Sequence, residues 1–175
     1  MSKKYELTNT TKEINGSKVY QIRALKDFGG VKTGDLGGWI EKESNLSHEG
    51  NAWVYGNAKV YDNSKVYCNA IVYGNAWVSG NAKVYGNARV HGDARVHGNA
   101  RVHGKDDIFW ISNIGSEGDT LTAYLDKDNN ILITRGCFIG TIEEFEKAVE
   151  KTHGNNKYGE FYKMLIPLIT LKLKS

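Results

Sequence analysis

The chain has 175 residues, room for one core domain with small appendages. Its 23 Lys+Arg against 20 Asp+Glu leave a net charge of only +3, too mild for a coat that binds DNA. The basic surplus is concentrated in residues 50–103, which hold 6 basic and 2 acidic side chains. Two cysteines, Cys68 and Cys137, form neither a disulfide framework nor a metal-ligand spacing. With no signal-peptide pattern, the expected setting is cytoplasmic. The longest apolar stretch, Met164 to Leu173, is too short to span a bilayer, and no membrane association is expected.

Taken in chain order, residues 4–14 and 17–25 read as strands around Asn15-Gly16, a strong hairpin signal. Gly29 to Trp39 is a glycine-rich lead-in. Its GGVKTG stretch lacks the order of a phosphate loop, although Arg23, Lys26 and Lys32 lie near it as anion-gripping candidates. From Gly50 the chain falls into nine blocks of six, beginning GNAWVY, GNAKVY and DNSKVY and ending GNARVH, GDARVH and GNARVH. The third position is Ala or Ser and the fifth is always Val, from Val54 to Val102. In extended chain these two positions face one way and the variable fourth and sixth the other. Asn or Asp after Gly supplies turn chemistry. A strand and a turn every six residues define a parallel β-helix, whose open ends must be covered by caps.

The segments after the repeats suit a cap. Ile108–Ile111 reads as a strand, and Thr120–Leu125 with Ile131–Thr134 as a hairpin. Thr141 to Lys151 reads as a helix, with Thr141 and Glu144 as a capping box and Gly154 at its end. A second helix carries Tyr158, Phe161, Tyr162, Leu165 and Ile166 on one face. Beyond Pro167, the alternation of Ile169, Leu171 and Leu173 with polar residues suggests a final strand. Cys68 stands where most blocks have a turn glycine, and Cys137 is expected to pack between strand and helix.

The repeats resemble the left-handed β-helix hexapeptide-repeat family, tightly over 50–103 and loosely at Ile40, Leu46, His48 and Ile108. The resemblance implies left-handed winding, three blocks to a triangular coil, and homotrimers. The lead-in RALKDFGGVKTGDLGGWIE, the GNAKVY repeats and the segment GCFIGTIEEFEKAVEKTHGNNKYGEFY together resemble phage and prophage hexapeptide-repeat proteins. Related bacterial proteins are labelled acyltransferases. The expected architecture is therefore mainly β. Residues 1–36 form an N-terminal hairpin cap and lead-in, 37–107 the left-handed parallel β-helix, and 108–175 a small C-terminal α+β domain.

With three blocks per coil, residues eighteen apart stack on one face. Basic and aromatic columns then run side by side, which suits an anionic, planar ligand of nucleotide type. Such residues also solubilise exposed strands and favour β structure. The last three blocks carry Arg89, Arg95 and Arg101 with His91, His97 and His103, ringing the final coil. Trp77, Tyr73 and Tyr85 lie one level away, placed to stack on a base. These nine form the expected ligand site, completed across a subunit interface of a homotrimer. The spacing of six puts the three histidines on different faces, so one chain cannot converge them on a metal ion, and none is expected.

An acyltransferase needs a general-base histidine beside a cofactor cleft. His48, His91, His97, His103 and His153 are all candidates and none stands out; His153 suits a helix end. The reading is a non-catalytic, oligomeric binding protein of phage origin without cofactor, acting by sequestration of a nucleotide-type signal of host defence. The alternatives are a CoA-dependent acyltransferase and a structural or protein-interaction scaffold.

Overall fold

The computed structural model describes residues 3–104 and 106–174; the outermost residues of the segments expected above (1, 2 and 175) and Lys105 lie outside the described residues. The Asn15-Gly16 turn joins β1 (Tyr5–Ile14) to β2 (Ser17–Ala24), and β3 (Leu36–Ile40) follows the glycine-rich lead-in. Nine two-residue strands, β4 (Trp53–Val54) to β12 (Arg101–Val102), then recur every six residues. The C-terminal part holds β13 (Ile108–Ile114), β14 (Asp119–Leu125), β15 (Ile131–Arg135), β16 (Phe138–Thr141), α1 (Ile142–His153) and α2 (Lys157–Leu173).

The strands build a parallel β-solenoid of about four turns. Pairing runs at the eighteen-residue period, as in Val54–Val72–Val90 and Val66–Val84–Val102. Every block Ala, Ser64 and every block Val is buried, so the inward assignment of these positions holds throughout. Ser64 fits because its hydroxyl donates to the carbonyls of Tyr61 (2.6 Å) and Val78 (3.1 Å). Ile40 and Leu46 pair with Val60 and Val66, and supply an extra first turn beneath the nine blocks. At the Gly80 corner there is no room for a side chain: a Cβ there (φ +66°) would lie 2.9 Å from the Gly98 nitrogen. Cys68 adopts the same left-handed conformation (φ 61°), exposed at its corner.

Both ends of the stack are covered. At the start, β2 pairs antiparallel with β3, which joins the parallel ladder, so the hairpin extends one face of the solenoid. Tyr5 and Phe28 pack edge-on against Trp53, which is buried at 1% exposure. Trp53 holds the fourth, outward position of its block. It does point away from the coil interior, but the N-terminal segment closes over it. The Lys4 ammonium is also buried there and donates to the Ala52 carbonyl at 2.8 Å and the Gly50 carbonyl at 3.3 Å. Burial, helped by nearby Lys26, pulls its pKa down to about 8.

At the far end, the antiparallel sheet β13–β14–β15–β16 sits on the last coil. Alternation along β14 divides its work: Tyr124 joins the solenoid core, while Leu121 and Ala123 join a second core with α1 and α2. Thr141 and Glu144 form the expected capping box of α1. Two expectations fail here. The chain after Pro167 is helix rather than strand. Leu165, Ile169 and Leu173 follow one another at four-residue spacing, and all are buried. That continuous apolar stripe outweighs the roughly 3 kcal/mol cost of an interior proline, whose ring lies on the exposed side. Cys137 is exposed rather than packed, because β15 and β16 form a hairpin and Gly136-Cys137 is its turn. No helix among the described residues is long and apolar enough to cross a membrane.

Val84 is fully buried midway in its ladder. Val84→Asp should cost about 3–5 kcal/mol through an unpaired buried charge and abolish the cooperative thermal transition seen by circular dichroism. Wild-type melting in this variant would overturn the inward assignment.

Candidate functional site

On one face of the solenoid, Lys59, Trp77 and Arg95 stand in register one coil apart. Tyr61, Ser79 and His97 form the column beside them. The hairpin tip reaches this face: Asn15 Nδ2 donates to Tyr61 Oη at 3.3 Å, and Ile14 and Val19 pack against Tyr61 with Trp39 and Trp77 alongside. The C-terminal sheet closes the other side. The Arg95 N–H donates to Thr122 Oγ1 (2.9 Å), and the Thr134 hydroxyl donates to the Arg95 carbonyl (2.9 Å). The His97 N–H donates to Tyr124 Oη (3.2 Å), whose own proton is held tightly because burial raises its pKa to about 12.

These three segments enclose a cleft of about 210 Å³ lined by Asn15, Tyr61, Ser79, Arg95, His97 and Thr134, among others. None of its lining residues carries a carboxylate. Ser79 Oγ and His97 Nδ1 share a hydrogen bond of 2.8 Å, which leaves Nε2 as the ring atom available to a ligand. The arrangement offers a guanidinium, an imidazole and hydroxyls to an incoming anion, with the guanidinium's backbone clamped on both sides.

The nine residues expected to form the site divide over three faces. Trp77, Arg95 and His97 meet in this cleft. Arg89 lies on a second face, in a groove of about 320 Å³ with Tyr55 and the stacked amides of Asn51, Asn69 and Asn87. His91 on that face stacks on Tyr73 at 4.7 Å and meets Trp110 edge-on at 4.2 Å. Arg101, His103 and Tyr85 occupy the third face, where Tyr85 stacks on Tyr67 at 5.0 Å and His103 tilts against it.

The rings expected to receive a base are therefore already stacked. Trp77 has Lys59 over one side (4.8 Å) and Arg95 over the other (5.5 Å). The cause is the strand spacing of about 4.8 Å, which sets neighbouring rungs at ring-stacking distance. Asn15 and Thr134 were missed because their approach to Arg95 is tertiary. Tyr61 and Ser79 could have been found, since they share the His97 column.

The remaining candidates have other partners. His48 stacks on Tyr5 at 4.3 Å and accepts the Lys4 N–H, so it belongs to the N-terminal cap. His153 ends α1 against Tyr158 and Tyr162. Beside the GGVKTG loop, Asp27 accepts the Thr33 N–H and hydroxyl and pairs with Lys32; the Thr33 N–H foremost, with Lys32 and the Thr33 hydroxyl, holds its carboxyl down at about 2. Arg23 is paired with Glu6. The loop's Lys32 and Thr33 are thus already engaged by an anion of the chain's own. Among the described residues no group of three or more His, Cys, Asp or Glu is placed to hold a metal.

Residues 82–98 match the model of the YdcK β-solenoid repeat. The chain is a hexapeptide-repeat β-helix protein. A relative named as an uncharacterized acetyltransferase YdcK, from Escherichia coli (strain K12), is 51% identical over 35 residues. The matched stretch covers 20% of this chain and only 11% of that relative's length.

His91 is expected to give this β-helix protein a pH-dependent stability. Burial, and then Arg89, lower its pKa below the ordinary imidazole value. The unfolded chain therefore binds the proton more readily. The stability contributed by the neutral ring is full above about pH 6.5 and is lost as pH falls through the lowered value. His91→Phe should keep the stack and flatten the change in melting temperature between neutral and mildly acidic pH, as followed by calorimetry. An unchanged slope would show that His91 does not carry it.

Proposed function

We propose that this β-helix protein is a non-catalytic binding protein for an anionic, nucleotide-type small molecule, held by its phosphate at Arg95 and His97. The observation that carries the reading is the carboxylate-free cleft around an arginine whose backbone is fixed by Thr122 and Thr134. At about 210 Å³ the cleft matches a phosphate-bearing end better than a whole nucleotide. The rest of the ligand would lie along the solenoid, against the edges of the stacked rings. In the phage setting that the sequence resemblance implies, such a protein would sequester a nucleotide signal of host defence.

A second reading is a CoA-dependent acyltransferase. It draws on the name of the similar YdcK protein and on the hydrogen bond between Ser79 and His97, which would make His97 the general base. Both readings require an anionic ligand, and turnover separates them.

Isothermal titration calorimetry with cyclic and linear nucleotides, adenosine-diphosphate-ribose derivatives, CoA and acetyl-CoA should find one class that binds stoichiometrically. Binding should weaken as ionic strength rises. Arg95→Ala should cost about 1.5–3 kcal/mol, tenfold or more in Kd, without unfolding the coil. Heat from no ligand, or undiminished affinity in the variant, would remove the site and leave the scaffold reading. Product formed from acetyl-CoA, and lost in His97→Ala, would replace sequestration by catalysis.

A further inference from the structure

Helix α2 has two apolar faces, and its fold uses one. Tyr162, Leu165, Ile169 and Leu173 are buried in the C-terminal core. On another side Phe161, Met164, Leu168 and Leu171 are exposed, at 37%, 67%, 57% and 69%. Their spacing of three, four and three is that of a two-helix seam, with a and d positions alternating. A row of four large apolar side chains on one exposed face is not ordinary surface scatter.

We propose that this stripe is a self-association surface, on which α2 of a second copy lies antiparallel. The flanking charges select both the occupant and its direction. Glu160 and Lys174 are exposed and lie two heptads apart on the same flank of the stripe, one at each end. Antiparallel pairing sets Glu160 of each copy near Lys174 of the other, and places each helix N-terminus beside the partner's C-terminus. Parallel pairing would instead put the two copies' Glu160/Lys174 flanks on opposite sides of the interface, where they cannot pair. Lys172, also near that end, is engaged by Asp106 within its own chain; Lys174 contributes to the field at Glu143 of α1 but is exposed, and is the cation placed for the exchange. One sequence thus carries both halves of the complementary pattern, as a two-fold interface requires.

The size of the surface sets the strength. From Phe161 to Leu171 the stripe runs about 15 Å, short of a standard interface of about 800 Å² on each partner, so a weak, concentration-dependent dimer is expected.

Sedimentation velocity over a concentration series should show a monomer–dimer equilibrium. Leu168→Glu should shift it to monomer while circular dichroism stays unchanged, because the side chain is exposed. Glu160→Lys and Lys174→Glu should each weaken association several-fold, and the two together should restore it. A wild-type chain that stays monomeric up to its solubility limit would overturn the proposal, including one that binds phosphatidylglycerol vesicles instead. Assembly unaffected by Leu168→Glu, such as a trimer formed through the solenoid, would also overturn it. Failure of the double charge swap to restore association would rule out the antiparallel arrangement.

Discussion

The structure depends on a parallel ladder with an eighteen-residue period. Each rung sits about 4.8 Å above the last, so every chemical choice made once in a block recurs directly above itself. Val over Val and Ala over Ala fill a narrow interior without gaps, and Asn over Asn shares amide hydrogen bonds along the corners. The same rule acts outside. Rings one period apart are held at stacking distance, and Lys59 and Arg95 sandwich Trp77. Outward residues in such a ladder find their first partners in their own column.

A ladder also creates two open ends, and they account for the rest of the chain. The start is closed by a hairpin, a buried tryptophan and a buried lysine that feeds the coil's free carbonyls. The finish is closed by a sheet whose Thr122 and Tyr124 accept the free N–H groups of Arg95 and His97. The two caps use opposite chemistry because they meet opposite deficits: a cation where carbonyls are exposed, oxygen acceptors where amides are.

What the sequence discloses follows from this division. Periodic features were readable because each of nine blocks restates them, and Asn15-Gly16 and Thr141 with Glu144 because turns and caps are local. The burial of Trp53 was not legible, because alternation gives its outward direction but does not say that the N-terminal segment lies beyond the surface. Pro167 was misread because its local penalty is easy to see, whereas the stripe joining Leu165 to Ile169 and Leu173 acts through a core contributed by strands. For the candidate site, Arg95 with Trp77 and the neighbouring His97 were readable as two adjacent columns of one face. Their enclosure by Asn15 and Thr134 was not, since those residues lie in other elements of the fold. The expectation of free stacking platforms omitted the ladder's own effect on neighbouring rings.

The cleft sits where regularity breaks. Within the solenoid interior and along its corners each rung satisfies the next, and symmetry leaves little to distinguish one level from another. At Arg95 the column meets the last coil, the hairpin tip and the C-terminal sheet together. The N–H of Arg95 that Thr122 accepts is part of the coil's exposed edge, so closing the end of the stack and fixing the Arg95 backbone are one event. A distinct cleft on such a scaffold therefore needs no insertion in the repeats. A cap that reaches down over one face is enough to make a single level of a repetitive surface chemically different from the others.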